Sequence, residues 1–269
     1  MRPAKYTIGF SPCPNDTFIF DALINGKIDS DGIKFEPIMA DVQTLNQWAI
    51  EGKLDITKLS FGVWPIVQHA YQLLNSGSAL GTGVGPLLIA DKVIEPSTIN
   101  DLDIAIPGMH TTANLLFSMA YPQAKNKIYM RYDGIETFVQ QGKGLGVIIH
   151  ENRFTYANKG LIKIVDLGQY WEAETKLPIP LGGIVAKKNI PTNAISQISL
   201  LIKNSIAYAY EKYPYLSNYV TANAQEMSEE VMRKHIDLYV NDYSVQLGTK
   251  GHDAIKKLVS VFNLMIKPV

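Results

Sequence analysis

The chain has 269 residues, of which 46% are apolar and 19% are charged, and its 25 lysines and arginines balance 25 aspartates and glutamates. This length predicts one large domain or two modest ones, and the balanced charge gives no reason to expect a nucleic acid or an anionic membrane as a partner. Cys13 is the single cysteine, which excludes an internal disulfide and a multi-cysteine zinc site.

The sequence also carries no sign of membrane insertion or export. No run of about 18 consecutive apolar residues occurs, so no transmembrane helix is expected. The first residues lead directly into a strand pattern, without an apolar segment and a small-residue cleavage site. We therefore expect a cytoplasmic protein.

Strands and helices alternate in the first third of the chain. The predicted elements are strands at 6–10, 33–39 and 54–59, and helices at 17–26, 42–51 and 65–72. Asn15 or Asp16 is the expected N-cap of the first helix, and Asp41 caps the second. A helix that begins after a strand offers free N–H groups to an anionic ligand, although a capped turn without any ligand is the plainer interpretation. The third strand brings Lys58 and Ser60 to its C-terminal end.

Glycines at 81, 83 and 85 precede an apolar strand at 86–90. The segment lacks the Gly-Lys-Ser/Thr ending of a P-loop and does not join a strand to a helix, so a nucleotide-binding loop is rejected. Glycines that enter a strand are more typical of a sheet edge or a hinge. The segment 177–186, with two prolines and two glycines, is a second candidate hinge.

Between the two candidate hinges the alternation of strands and helices resumes. The predicted elements are helices at 96–102, 113–121, 135–141 and 170–176, and strands at 103–106, 127–131, 145–150 and 161–166. Thr111 and Thr112 lie at the start of the helix 113–121, where hydroxyls and backbone donors coincide. A single threonine at this position would be explained by N-capping, without any ligand.

His150 ends the apolar run 145–149, which is typical of a fully buried strand. In open α/β sheets, ligands collect just beyond the carboxyl ends of strands. An imidazole at that position can accept a proton near neutral pH. The alternative is a structural histidine with satisfied hydrogen bonds.

The last third of the chain is polar and helical, with helices expected at 192–213, 228–240 and 253–262. Tyr208, Tyr210, Tyr213, Tyr215 and Tyr219 are interpreted as packing residues.

The two candidate hinges divide the chain into lobes. The chain leaves one lobe near Pro96 and returns near Pro180, which predicts a larger lobe of 1–96 and 181–269 and a smaller lobe of 97–180. Two crossings give two lobes, a two-strand hinge and a ligand cleft where helix N-termini converge. This α/β architecture is that of the type II periplasmic-binding-protein-like fold.

Such a fold leaves two functional classes: an exported solute receptor, or a protein that uses the same cleft for chemistry or regulation. The expected absence of a signal sequence disfavours the receptor, and the absence of a DNA-binding segment before the lobes disfavours a transcriptional regulator. An enzyme remains, and a cleft imidazole then becomes a candidate catalytic group.

Five segments resemble the 1,4-dihydroxy-6-naphthoate synthase family of menaquinone biosynthesis by the futalosine route. They are SPCPNDTF at 11–18, TKLS at 57–60, GMHTTA at 108–113, IIHENRFTY at 148–156 and LPIPLG at 177–182. The resemblance runs almost end to end. The sister family, chorismate dehydratase, shares the fold but lacks the His-Glu-Asn/Ser-Arg-Phe-Thr-Tyr segment.

The resemblance implies carbon–carbon cleavage of cyclic dehypoxanthinylfutalosine to 1,4-dihydroxy-6-naphthoate, with no cofactor and no metal. It implies that His150 is the proton acceptor. It places substrate contacts on Lys58, Leu59, Ser60, Thr111, Thr112 and Ala113, beside the candidates Asn15 and Asp16. Tyr156 and Trp171 are further candidates for flanking the ring. The alternative functions are a chorismate dehydratase-like enzyme and a non-catalytic small-carboxylate-binding protein. We expect a monomer or a homodimer whichever function is correct.

Overall fold

The computed structural model describes residues 4–224 and 228–266, which form two β-sheets with helices packed on them. The first sheet contains β1 (Lys5–Phe10), β2 (Lys34–Met39), β3 (Ile56–Ser60), β4 (Tyr71–Leu73), β5 (Ala79–Gly81) and β11 (Ile179–Lys187). The second sheet contains β6 (Leu87–Ala90), β7 (Ile104–Ile106), β8 (Lys127–Tyr129), β9 (Leu145–Ile148) and β10 (Ile162–Asp166). The two-lobed α/β fold expected from the sequence is confirmed.

Helices surround both sheets. In the first two thirds of the chain, the helices are α1 (Pro14–Ile24), α2 (Val42–Ile50), α3 (Trp64–Val67), α4 (Thr112–Ala120), α5 (Ile135–Gln140), α6 (Asn152–Thr155) and α7 (Leu167–Thr175). The remaining helices are α8 (Thr192–Lys212), α9 (Asn218–Asn223), α10 (Glu229–Tyr239), α11 (Asp242–Val245) and α12 (Gly248–Ile266). Within the described ranges, no helix has both the length and the apolar character needed to cross a bilayer.

Sheet order explains why ligand-binding groups meet between the lobes. The first sheet runs β2-β1-β3-β11-β4, and the second runs β10-β6-β9-β7-β8. Strands β1, β2 and β3 are mutually parallel, as are β7, β8 and β9. The carboxyl ends of parallel strands lie at one edge of each sheet, so the loops that follow them are gathered at the cleft.

The hinge is formed by neighbouring strands. Strand β5 pairs with β11 in antiparallel register, with Ile179 opposite Gly81 and Pro180 opposite Leu80. The chain passes from the first sheet to the second at 82–86 and returns at 167–178. Because β6 belongs to the second sheet, we propose that the smaller lobe begins near residue 82, whereas the sequence placed the boundary at 96/97.

Two local predictions are wrong for reasons of context. Helix α1 begins at Pro14 with Cys13 as its N-cap, so Asn15 and Asp16 lie inside its first turn. A proline at the first helical position has no N–H to satisfy, which favours this earlier start. The helix expected at 65–72 ends at Val67, because Tyr71–Leu73 joins β11 as an edge strand.

Of the five tyrosines predicted to pack in the C-terminal third, Tyr210 and Tyr213 pack on α1, whereas the prediction is wrong for Tyr215, which is 66% exposed. The ring centroids of Tyr210 and Tyr213 lie 5.3 Å and 5.9 Å from that of Phe18 in α1, both in edge-on geometry.

Helix α12 contributes Leu258 to the same apolar cluster as Trp171 and Leu116. The last helix therefore packs against residues of the second lobe as well as the first.

Candidate active site

A cleft between the lobes brings together the predicted catalytic histidine and the predicted substrate-contact residues, but not the two ring-flanking candidates. Its lining includes Asn15, Asp16, Lys58, Leu59, Ser60, Thr111, Thr112, Ala113 and His150. Apolar side chains make up much of the remaining wall, among them Val42, Val84, Pro86, Ile149 and Leu181. The space is about 700 Å³ including its open mouth. An apolar slot with a few convergent polar groups suits a small ring compound.

Lys58 and Asp16 form a buried ion pair at the floor of this cleft. The ammonium Nζ lies 2.6 Å from Asp16 Oδ1, and the two side chains are 7% and 3% exposed. Asp16 also accepts hydrogen bonds from the backbone N–H and the hydroxyl of Ser11 and from the side-chain amide of Asn15. The ammonium is therefore already paired with a carboxylate, although it retains further N–H donors for a ligand.

Asn15 offers the cleft an acceptor. Its amide nitrogen donates to Asp16, while its Oδ1 is buried without a hydrogen-bond partner among the described residues. A buried acceptor of this kind costs about 1–3 kcal/mol when it is left unpaired. A hydroxyl of a bound ligand would satisfy it.

Ser60 is held in place by Asn46, a fully buried residue that the sequence analysis missed. Asn46 Oδ1 accepts the Ser60 N–H at 2.8 Å, and its amide nitrogen donates to Ser60 Oγ at 3.1 Å. The hydroxyl therefore accepts from the protein and keeps its own proton for a ligand in the cleft. An asparagine in the middle of α2 gave no sequence signal beyond its position on the buried face.

At the start of α4, the backbone N–H groups are the donors that remain for a ligand. Both threonine hydroxyls already form hydrogen bonds within the protein. Thr111 Oγ1 donates to Gly108 O and caps the helix by accepting from the N–H of Asn114. Thr112 Oγ1 accepts from the N–H of Gly62 and donates to Leu181 O. The capped first turn leaves the N–H groups of Thr112 and Ala113 for a ligand.

Gly62 is one of the points where the two lobes touch. A Cβ at this position would lie 2.6 Å from both the carbonyl carbon and the carbonyl oxygen of Thr111. We expect Gly62→Ala to separate the lobes, weaken ligand binding and lower the free energy of unfolding by about 1–3 kcal/mol, since backbone atoms cannot yield as side chains do. The melting temperature and the ligand Kd measure this.

The matched control for that substitution is Gly134→Ala, where the nearest atom would be Met130 Sδ at 3.9 Å. It adds the same methyl group at a helix start without a clash. If Gly62→Ala were as stable as this control and bound ligand as tightly as the wild type, the close approach of the lobes at Gly62 would be refuted.

His150 lies two residues beyond β9 and reaches the cleft from the second lobe. Its φ of 56° is in the left-handed region, which turns the chain sharply and aims the ring away from the strand. The ring centroid is 5.2 Å from that of Tyr132 and 6.0 Å from that of His235, and Nδ1 is 3.7 Å from Cys13 Sγ. Burial lowers the His150 pKa to about 4, with Asp16 acting in the opposite direction. At this pKa the imidazole is uncharged at neutral pH. The side chain is partly exposed.

Cys13, His150 and Glu151 each place a potential metal-ligand atom within 4.8 Å of the others. Burial raises the pKa values of the Cys13 thiol and the Glu151 carboxyl. Both groups are thus biased towards their protonated forms, which do not bind metals. The absence of a metal site stays a prediction.

Arg153, in the motif that follows His150, has a structural position. Its guanidinium donates to the carbonyl oxygens of Gly83 and Gly85 and forms an ion pair with Asp166 at 2.7 Å. Asp166 in turn caps α7. Arg153 therefore fastens the first crossing segment to the second lobe beside the cleft.

Two candidate ring-flanking residues lie elsewhere. Trp171 is completely buried, and its indole N–H donates to Pro178 O, so it belongs to the core. Tyr156 packs on the apolar cluster that contains Leu87 and Ile135. Neither is part of the cleft lining.

His235 and Tyr239, which α10 brings to the site from the C-terminal third, were not predicted from the sequence. Tyr239 lines the cleft, and its ring lies 4.6 Å from that of His235. His235 is fully buried, and neither of its ring nitrogens has a hydrogen-bond partner among the described residues. The contacts of α10 with α1, and of His235 with His150, are long-range, so no local pattern could reveal them.

Comparison with known proteins agrees with this arrangement. A family model described as menaquinone biosynthesis matches residues 6–263. The chain is similar to a 1,4-dihydroxy-6-naphthoate synthase of Thermus thermophilus, with 44% identity over 252 residues, 93% of this chain and 91% of the relative. It is similar to a 1,4-dihydroxy-6-naphthoate synthase of Streptomyces coelicolor, with 38% identity over 97% of this chain and 93% of the relative.

Solved structures show the same architecture. The crystal structure of a protein from Archaeoglobus fulgidus has a TM-score of 0.91, 29% identity and 97% coverage of both chains. The periplasmic aliphatic sulphonate binding protein of Escherichia coli has a TM-score of 0.68 at 10% identity, over 97% of this chain and 87% of that one. The second likeness shows the fold alone.

Proposed function

This chain belongs to the menaquinone biosynthesis family, and from that premise we propose that it is a 1,4-dihydroxy-6-naphthoate synthase, a carbon–carbon lyase. Its substrate is cyclic dehypoxanthinylfutalosine, and His150 is the general base. The observation that carries the proposal is the position of His150 in the lining of an apolar cleft that Ser60 and the start of α4 also line. Burial, which lowers the His150 pKa to about 4, favours the uncharged imidazole that a general base requires.

Binding in this proposal uses groups from both lobes. The carbocycle lies between the apolar walls, and its carboxylate is bound by the N–H groups of Thr112 and Ala113, where the helix macrodipole favours an anion. Lys58 adds charge from the floor, and Asn15 Oδ1 accepts a substrate hydroxyl. Lobe closure about β5 and β11 then excludes water from the reacting bond.

Proton transfer requires a particular tautomer of His150. The base nitrogen must be free, so the ring proton resides on Nδ1 and is donated towards Cys13 Sγ. The other ring nitrogen, Nε2, takes a hydroxyl proton from the substrate, and the oxygen's electron pair forms the carbonyl of the released fragment as the carbon–carbon bond breaks. The electron pair of that bond moves onto the conjugated carbonyl as an enolate, and the imidazolium returns the proton to the enolate oxygen, which gives a hydroxyl group of the product and the free base. The hydroxyl of Ser60 and the α4 N–H groups stabilise the oxygen that gains charge.

The proposal is tested by incubating the purified chain with cyclic dehypoxanthinylfutalosine and following naphthoate absorbance. We expect many product molecules per protein molecule without an added cofactor. Parallel incubation with chorismate distinguishes a chorismate dehydratase-like enzyme. Stoichiometric binding without product would favour a carboxylate-binding protein and refute the lyase.

A further inference from the structure

A second pocket adjoins the cleft on the far side of His150. Its lining includes Ser11, Cys13, Asp41, Val42, Arg131 and His150. Three of these residues, Ser11, Val42 and His150, also line the main cleft. His150 therefore stands at the boundary between the two spaces and can reach a ligand that extends into both.

Each lobe contributes one charged group to this second pocket. Asp41 comes from the turn between β2 and α2 in the first lobe, and Arg131 follows β8 in the second. Asp41 lies close enough to His150 for its negative charge to counteract the lowering of the His150 pKa. The two groups bring opposite charges into one space from opposite lobes.

Both charged groups have hydrogen-bonding capacity left for a ligand. Asp41 accepts from the N–H groups of Gln43 and Thr44 and from the Thr44 hydroxyl, whereas a carboxylate has about four acceptor positions. Arg131 is paired with Asp133 at 3.0 Å and is 60% exposed. Among the described residues most of its five N–H donors have no other partner. A carboxylate and a guanidinium together suit a fragment with several hydroxyl groups, which can donate to the first and accept from the second.

We propose that this second pocket is a subsite for the polyhydroxylated, ribose-derived fragment that the reaction releases. Asp41 and Arg131 bind its hydroxyls while the carbocycle occupies the main cleft. The inference rests on the proposed function. It also explains why the bond to be broken lies beside His150, since that bond joins the two parts of the substrate.

The test compares two ligands that differ by this fragment. Asp41→Ser keeps a good N-cap for α2 while removing the carboxylate, and Arg131→Gln removes the cation from an exposed position. We expect each to weaken binding of intact substrate by roughly 10-fold, as for loss of a charge-assisted hydrogen bond. The Kd of 1,4-dihydroxy-6-naphthoate should stay within about twofold of the wild-type value, since the product lacks the fragment. Substrate Kd is measured in a His150→Asn background, where turnover does not interfere.

Arg233→Gln, which alters a half-exposed arginine paired with Glu229 on α10, is the control and should leave both constants unchanged. Equal weakening of substrate and product by Asp41→Ser or Arg131→Gln would place the effect on lobe closure and overturn the subsite. Unchanged substrate affinity would overturn it as well. A wild-type chain that forms no naphthoate would instead refute the proposed function, and with it the inference built upon it.

Discussion

Replacing His150 by asparagine is expected to lower turnover by about 10²- to 10⁴-fold, the usual contribution of a general base. Asparagine is the appropriate replacement because it tolerates the left-handed backbone, with φ of 56°, better than alanine does. The fold and the affinity for the naphthoate product should be retained, since the apolar walls and the N–H groups of α4 are unchanged. Single-turnover and steady-state rates measure the loss.

The pH dependence of the wild type provides a second readout of the same role. Because the His150 pKa is lowered to about 4 by burial, the imidazole stays uncharged when the pH falls through the range in which an ordinary histidine gains a proton. The value of kcat/KM, which reports the free enzyme, is therefore expected to show no loss near pH 6.5 that could be assigned to His150. Activity should decline only as the pH approaches 4.

His69→Asn is the matched control, since His69 is exposed and its ring forms a hydrogen bond with Ile66 O in its own turn. It should turn over at the wild-type rate. A His150→Asn variant with near-wild-type turnover would remove His150 from the mechanism and leave the cleft as a binding site without an identified base.

Local sequence signals predicted much of the site because its parts lie at element boundaries. Thr111 and Asp41 are side-chain N-caps, as expected, and His150 lies just past a buried strand. Parallel strands and helix starts then determine which loops meet at the cleft. The same logic predicted that Lys58 and Ser60, at the end of β3, share the cleft with Thr112, at the start of α4, although the two elements are far apart in the sequence.

What the sequence did not predict depends on partners that are distant in the chain. Lys58 gave no indication that a carboxylate would neutralise its charge, because Asp16 is 42 positions away. The hydroxyl of Thr112 was expected to face a ligand, but from the second lobe it forms hydrogen bonds with Gly62 and Leu181 of the first lobe. Likewise, β4 formed where a helix was expected, since pairing with β11 overrides a weak local preference.

Breaking the ion pair between Asp16 and Lys58 is expected to have the largest effect on stability. Asp16→Asn leaves an ammonium group buried without a counter-charge, and Lys58→Met leaves a buried carboxylate. Each should lower the free energy of unfolding by about 3–5 kcal/mol. The double variant should recover most of that loss, because removing both charges also removes the desolvation penalty. Denaturant unfolding of the four proteins gives the coupling energy.

Activity should not recover with stability in the double variant. Asp16 holds Asn15 and Ser11 in place, and Lys58 is the cation at the cleft floor, so substrate binding depends on the pair even where folding does not. Glu229→Gln, which breaks an exposed pair with Arg233, should leave both stability and activity nearly unchanged. If the single variants at Asp16 and Lys58 were as stable as this control, the two charges would have to be hydrated, and a floor open to water would not provide the dry cleft that the proposed chemistry requires.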